Sequence, residues 1–86
     1  MGYPKCDDFP ISYMEPCLFK DADQEPWRAG LFKEVAVHNF LPFQSLEGFE
    51  YAQIAPLAGN EKIIGRVGDA FGLIDRDILV KGEWNA

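Results

Sequence analysis

The stretch that decides the fold is residues 15–37, which read EPCLFKDADQEPWRAGLFKEVAV. Two apolar runs rich in aromatic and branched side chains flank a short polar segment, residues 21–26. Pro16 stands at the start of the first run, where a strand tolerates a missing N–H. The second run alternates loosely from Trp27 onward, and residues 33–34 interrupt the alternation, which indicates a bulge. The pattern predicts two antiparallel strands joined by a polar turn, with Trp27 buried.

The chain downstream continues in short apolar runs. Residues 42–46 and 49–54 alternate around Gly48, which predicts a hairpin. Pro56 is expected to end the second strand of that hairpin. Residues 57–65 then predict a single helical turn that a glycine closes.

Two features of the last third of the chain carry separate predictions. Gly59 is expected at a positive φ that a side chain would oppose, and Asn60 is expected to cap the helical turn. In the tail, residues 66–86, the run Ile78-Leu79-Val80 favours a strand that returns to the sheet. A helix is the alternative, because apolar side chains at positions 71, 74 and 78 share one helical face.

Eighty-six residues suffice for one domain. We expect residues 1–14 to form an irregular aromatic arm and residues 15–86 to form a single small β domain. Short strands with tight turns predict a mainly β fold, either a small twisted antiparallel sheet or an SH3-like partly open barrel, with one short helical turn. The predicted core is mostly aromatic and consists of Phe19, Trp27, Leu31, Phe32, Phe43, Tyr51, Ile54 and Ile64.

The charge balance excludes some classes of function. Fourteen Asp and Glu oppose eight Lys and Arg, giving a net charge of −6. The cations are isolated along the chain, so direct nucleic-acid binding and docking on an anionic membrane are disfavoured. No apolar run reaches the roughly 18–20 residues of a membrane span, and the first fifteen residues lack the apolar stretch of a signal peptide. We therefore expect a cytoplasmic protein whose negative surface attracts basic proteins.

The sequence offers little for a metal or a reactive thiol. Residues 21–25 match the first ligands of a calcium loop, but Pro26 stands where that loop needs Gly. Zinc needs about four ligands, whereas His38, Cys6 and Cys17 supply at most three. Both cysteines are expected to be reduced thiols, with Cys17 buried. We expect no bound metal and no cofactor.

Catalysis is not indicated either. His38 is the single histidine, and neither Ser12 nor Ser45 lies in a nucleophile elbow. Asp75 and Asp77 would share one strand face if the tail is extended and could then do acid–base work. With fourteen acids in 86 residues, however, such a pair arises by chance. We expect no catalytic residue.

Two blocks resemble small uncharacterised phage and prophage proteins of gut bacteria. The first is residues 19–32, with Asp-x-Asp before Trp27 and a later Phe, and the second is residues 51–65, with Pro-x-x-Gly-Asn-Glu. The chain departs from the second block where Ile54 replaces Cys and Arg66 replaces Thr. The resemblance implies a compact β domain and a mobile-element origin, and it brings no activity. Small acidic phage proteins often bind a host factor.

These observations together predict a non-enzymatic acidic binding protein of phage type that engages a basic surface of a host protein, such as a defence complex that it would inhibit. The residues expected to bind the partner are Asp21, Asp23, Glu25, Glu47 and Glu50. Aromatic side chains are expected either to anchor the interface or to pack the arm and tail on the domain: Tyr3, Phe9, Tyr13, Phe40 and Trp84.

Two alternatives stay open. The first is an oligomeric protein that sequesters a small ligand such as a nucleotide, with aromatic rings on the base and cations on the phosphate. The cations available for that role are Arg28, Lys33, Lys62 and Arg66. The second alternative, a small enzyme, depends on the carboxylate pairs alone.

Overall fold

The computed structural model describes residues 9–36 and 39–81. Its strands are β1 (Pro16–Lys20), β2 (Arg28–Val35), β3 (Phe43–Ser45), β4 (Glu50–Tyr51), β5 (Gln53–Pro56) and β6 (Ile74–Asp75). A 3-10 helix spans Glu61–Ile63, and one α-helix, α1, spans Arg76–Lys81.

The six strands form one antiparallel sheet in the order β4-β3-β2-β1-β5-β6. β1 lies inside the sheet because it pairs with β2 on one side and with β5 on the other. The prediction of a mainly β fold with a small antiparallel sheet is confirmed, and the helical turn predicted within residues 57–65 is the 3-10 helix.

The sheet is strongly curled between β4 and β5. These strands are separated by three others in the sheet order, yet Ala52 alone connects them along the chain. Since consecutive Cα atoms are 3.8 Å apart, the two halves of the sheet must fold toward each other. The ring of Tyr51 accordingly stacks on the ring of Phe19 in β1, with the centroids 4.8 Å apart.

The first hairpin follows the sequence prediction closely. β1 and β2 flank the polar turn, and Pro16 begins β1. The pairing of β2 with β3 shifts register between Phe32 and Glu34, which is the predicted bulge. β1 is buried on both faces, because its alternate side chains enter two separate apolar clusters.

The larger cluster covers one face of the sheet. The segment before β1 contributes Phe9 and Ile11, and α1 contributes Leu79. The sheet contributes Cys17, Phe19, Phe32, Phe43, Ile54 and Ile74. The smaller cluster, on the other face of β1 and β5, contains Leu18, Trp27, Ala55 and Ala70, and the segment from Leu57 to Leu73 covers it.

The predicted core was wrong at two positions. Leu31 is 39% exposed and Ile64 is 44% exposed. Leu31 faces away from the larger cluster because its neighbours along β2, Gly30 and Phe32, face toward it. The ring of Phe19 fills the space beside Gly30 and lies 3.2 Å from the position that a Cβ of residue 30 would occupy. Trp27 is buried as predicted, but it precedes β2 and packs in the smaller cluster.

The predicted strand over residues 49–54 is interrupted. Ala52 separates β4 from β5, and its N–H donates to Asp21 Oδ1 at 3.1 Å instead of to a neighbouring strand. The two strands consequently pair with different partners, β4 with β3 and β5 with β1.

The strand predicted at Ile78-Leu79-Val80 in the tail was also wrong. Residues 78–80 belong to α1, and the strand that returns to the sheet is β6, which ends at Asp75. Asp75 Oδ1 accepts a hydrogen bond from the backbone N–H of Ile78 at 2.8 Å, as an N-cap residue does. The helix turns Leu79 into the larger cluster, and this burial stabilises it.

Candidate protein-binding surface

The acidic turn after β1 is fixed against the junction of β4 and β5. Asp21 accepts the N–H of Ala52, and Asp23 Oδ1 accepts Gln53 Nε2 at 2.9 Å. Glu25 Oε1 accepts the backbone N–H of Asp21 at 3.3 Å. All three acids are exposed, so their carboxylates are oriented by neutral donors while they face solvent.

Glu50 is oriented in the same way on β4. Its Oε2 accepts Gln44 Nε2 at 3.2 Å and Asn39 Nδ2 at 3.4 Å. Glu50 lies opposite Gln44 in the β3–β4 pair, whereas Tyr51 lies opposite the buried Phe43. Glu50 therefore projects from the outer face of this part of the sheet.

Glu47 is close to Tyr51, on the face that carries the larger cluster. Burial is the main reason that the pKa of Tyr51 is raised, and the negative charges of Glu47 and Asp21 raise it further, while Arg28 lowers it. The two acids thus act on one phenol, although 26 positions separate them in the sequence.

Asp75, at the end of β6, and Asp77, in α1, lie at the same junction. Gln53 pairs with Asp75 in the β5–β6 ladder. Both acids line a groove of about 230 Å³, called here the Phe40 groove, whose lining is Phe40, Ala52, Gln53, Asp75, Arg76 and Asp77. The tail is not extended here, so the condition under which the two acids would share a strand face is not met: Asp75 ends β6 and Asp77 lies in the helix.

Strand direction explains why these acids meet. Lys20 ends β1 and pairs with Gln53, which begins β5, so the turn after β1 and the junction before β5 lie at one end of the sheet. β6 reaches that end at Asp75. We call this region the acidic end, and its acids are Asp21, Asp23, Glu25, Asp75 and Asp77, with Glu47 and Glu50 on the adjacent hairpin.

Glu15 and Glu61 lie at the opposite end. Glu15 precedes Pro16, whose carbonyl accepts the N–H of Leu57, the residue that follows β5. Glu15 Oε1 accepts the N–H of Ser12, and Glu61 Oε2 accepts the N–H of Gly59. These two acids are natural controls, because they too accept backbone hydrogen bonds.

The acidic side chains form no ion pair within the described part of the chain. Residues 9–36 and 39–81 contain eleven acids and seven bases. No carboxylate among them lies within 4.0 Å of a Lys or Arg nitrogen of the same segments. Asp21, Asp23, Glu25 and Asp75 are oriented by backbone and side-chain amides, which are neutral and leave the carboxylate charge in place.

One of the seven bases is not on the surface. Lys20 is 3% exposed, and its Nζ donates to the carbonyls of Asp23 and Gly68, each at 3.2 Å. Sequence reasoning missed this burial and counted Lys20 only as one of the cations isolated along the chain. The signal was its position in β1, where Lys20 shares a face with Leu18.

Asn60 has a structural role, but it does not cap the helical turn as predicted. It occupies the N-cap position of the 3-10 helix but makes no side-chain cap hydrogen bond. Its Nδ2 instead donates to the carbonyls of Pro56 and Phe71, and its Oδ1 accepts the N–H of Phe71. Asn60 therefore fastens the segment after β5 to the segment before β6, and Gly59 has the predicted positive φ, +86°.

The described residues contain no group of three or more His, Cys, Asp or Glu side chains that could hold a metal ion. Burial raises the pKa of the Cys17 thiol to about 12, with a smaller contribution from Glu15. Cys6 and His38 lie outside the described residues, as do Tyr3 and Trp84.

The other aromatic candidates divide between the two roles expected of them. Phe9 is buried in the larger cluster, whereas Tyr13 is 64% exposed and Phe40 is 74% exposed. Phe40 lines the Phe40 groove. It follows Asn39, whose side-chain amide donates a hydrogen bond to Glu50. Phe40 is therefore an exposed aromatic ring at the acidic end.

A second cavity, of about 360 Å³, is apolar. Its lining consists of Pro10, Ile11, Pro56, Gly72, Leu73, Ile74 and Ile78. None of the four cations considered for nucleotide binding lines this cavity or the Phe40 groove, and this cavity has no aromatic ring on which a base could stack.

No protein-family model, no curated protein and no solved structure matches this chain. Within the described residues, no helix is both long and apolar enough to cross a membrane.

Proposed function

We propose that this chain is a non-enzymatic binding protein of phage type whose acidic end occupies a basic surface of a host protein in the bacterial cytoplasm. The observation that carries the proposal is the acidic end, whose carboxylates form no ion pair with a described base. Acids from the turn after β1, the end of β6 and the start of α1 lie together there, and no described base is within 4.0 Å of their carboxylates.

The arrangement suits electrostatic recognition. A negative patch accelerates association with a positive one and disfavours partners of like charge. The carboxylates of Asp21, Asp23 and Glu50 are already oriented by hydrogen bonds, so ordering them on binding costs little conformational entropy. Phe40 supplies an apolar contact beside them, and aromatic side chains of this kind often dominate binding energy.

The partner can be found with variants that have the same net charge. Asp21→Asn with Asp23→Asn neutralises the acidic end, and Asn retains the Oδ1 acceptors that Ala52 and Gln53 use. Glu15→Gln with Glu61→Gln is the matched control at the opposite end. The proteins that each form captures from a bacterial lysate at low salt are compared.

We expect one basic protein to be retained by the wild type and by the control, and lost from the Asp21→Asn/Asp23→Asn variant. The captured protein must then bind as a purified one-to-one mixture with the wild type. If the double Asn variant retains the same proteins as the control, the acidic end is not the binding surface.

A further inference from the structure

We infer that the chain pairs with a second copy of itself, and that the ring of Phe71 in each copy enters the apolar cavity of the other. The ring and the cavity lie side by side, because Phe71 is 79% exposed and the next residue, Gly72, lines the cavity of about 360 Å³. A surface that carries both a projecting side chain and a recess that accepts it is complementary to its own copy about a twofold axis.

The backbone of Phe71 is held at both of its polar groups. Its N–H donates to Asn60 Oδ1 at 2.8 Å, and its carbonyl accepts Asn60 Nδ2 at 2.9 Å. Asn60 is buried and also donates to the carbonyl of Pro56 at 2.7 Å. Among the described residues, no large apolar side chain is more exposed than that of Phe71. A ring on a fixed backbone loses little conformational entropy when a partner covers it.

The apolar cavity has the size and the chemistry that a phenyl ring requires. Its volume is about 360 Å³, and each residue that lines it is apolar or glycine. A dry apolar cavity of about 150 Å³ already holds benzene. Phe71 does not line the cavity of its own chain, although it precedes a residue that does. The cavity can therefore receive the ring from the other copy.

Charged residues beside the ring and beside the cavity have opposite signs. Asp69 is exposed and precedes Phe71 by two positions. Lys81 is exposed and follows Ile78, which lines the cavity, by three positions on α1, so the two share one side of the helix. Entry of the ring brings Asp69 of one copy toward Lys81 of the other, and the twofold axis repeats the pair.

The pairing keeps the acidic ends of the two copies apart. Gln53 begins β5 at the acidic end, and Pro56 ends β5 where Asn60 holds Phe71. At about 3.3 Å per residue, this strand separates the two regions by roughly 10 Å, more than the Debye length of about 8 Å at physiological ionic strength. Repulsion between the acidic ends is therefore largely screened, and each acidic end stays free.

The area that the pairing covers makes the dimer a weak one. A phenylalanine side chain buries about 150–250 Å², so two rings and two cavity walls of similar area bury roughly 600–1,000 Å². Stable interfaces bury about 1,200–2,000 Å², and smaller ones belong to transient complexes. We expect a dissociation constant of about 0.1–1 mM.

Sedimentation equilibrium of the full chain from about 10 µM to 1 mM measures the pairing. The wild type should change from monomer toward dimer over that range. Phe71→Ser should stay monomeric, and because the ring is exposed the fold should be retained. Phe49→Ser is the matched control: it removes another exposed ring, 58% exposed, that does not line the cavity, and it should dimerise as the wild type does.

An exchange of charges tests how the two copies face each other. Asp69→Lys and Lys81→Asp should each weaken self-association about three- to tenfold, because each places like charges together twice in the dimer. An equimolar mixture of the two variants should recover the dimer, since each copy then supplies the sign that the other lacks.

Three results would each overturn the inference. They are a wild type that stays monomeric at the highest concentration, which would leave the cavity to another occupant, equal losses for Phe71→Ser and Phe49→Ser, and a mixture of the charge variants that associates no better than its components. The proposed function is tested separately, because the variants at Asp21 and Asp23 lie at the acidic end.

Discussion

Lys20 and Trp27 donate to the same acceptor, the carbonyl oxygen of Gly68. Trp27 Nε1 is 2.8 Å from this oxygen and Lys20 Nζ is 3.2 Å from it, while the ammonium group lies 4.5 Å from the centroid of the Trp27 ring. Lys20 also holds the carbonyl of Asp23. Through these three hydrogen bonds Lys20 connects the acidic turn to the smaller apolar cluster.

Trp27→Ala should lower the free energy of unfolding by about 3–5 kcal/mol, because it leaves a large cavity in the smaller cluster and removes a buried hydrogen bond. Urea denaturation measures the change. Leu31→Ala is the control, since Leu31 is partly exposed and should cost far less. Similar losses for the two variants would contradict the placement of Trp27.

Asn60→Ala should cost about 2–3 kcal/mol, more than the roughly 1 kcal/mol of a lost helix cap. The substitution leaves the carbonyls of Pro56 and Phe71 and the N–H of Phe71 without their side-chain partner. The measurement is again urea denaturation, with Glu61→Ala as the neighbouring exposed control. A loss no greater than that of the control would show that the three hydrogen bonds contribute nothing.

Met14→Gly should stabilise the protein by about 0.5–1 kcal/mol. Met14 has a φ of +67° in a turn that the N–H of Glu15 closes on the carbonyl of Ser12, and glycine adopts this conformation without strain. Gly59→Ala should instead destabilise the protein, because alanine is strained at the φ of +86° there. No atom lies within 4 Å of the new Cβ, so the loss would come from the backbone alone. Thermal unfolding of both variants checks the pair, and equal signs would argue against a backbone origin.

The thiol of Cys17 predicts how stability depends on alkaline pH. Its pKa is about 12 in the folded chain against 9.0 ordinarily, so the folded state retains a proton that the unfolded state loses. This contribution is fully present below about pH 9 and is lost as the pH rises toward 12, at up to about 1.4 kcal/mol per pH unit. Cys17→Ala should flatten the decline between pH 9 and 11 in chemical denaturation. Identical slopes would mean that the thiol ionises as readily in the folded chain.

Much of the fold could be predicted because it depends on local patterns. The β1–β2 hairpin, its bulge and the positive φ of Gly59 all follow from residue type and alternation. The outward orientation of Leu31 could not be predicted this way, because Phe19 on the neighbouring strand occupies the space beside Gly30. Long-range contacts also decide the break at Ala52 and the burial of Leu79 by α1, which the sequence did not predict.

The candidate site, too, could be predicted from the sequence only in part. Asp21, Asp23 and Glu25 could be identified as an acidic turn from the sequence alone. The Phe40 groove could not, because it needs the contact between that turn and Gln53 and the helical form of the tail. The N-cap at Asp75 was a local signal for that helix, although the β-branched residues after it favoured a strand.

The central claim is that the acidic end binds a basic partner by charge, and association kinetics test it most directly. Rate constants are measured with the captured partner at low and high salt for three proteins: the wild type, Asp21→Asn/Asp23→Asn and the matched Glu15→Gln/Glu61→Gln. Charge complementarity acts mainly on the association rate and is screened over a Debye length of about 8 Å at physiological ionic strength. We predict that the double Asn variant associates more slowly than the matched control at low salt, and that the two converge at high salt. Equal association rates for the two variants at low salt, or rates that do not change with salt, would contradict the claim.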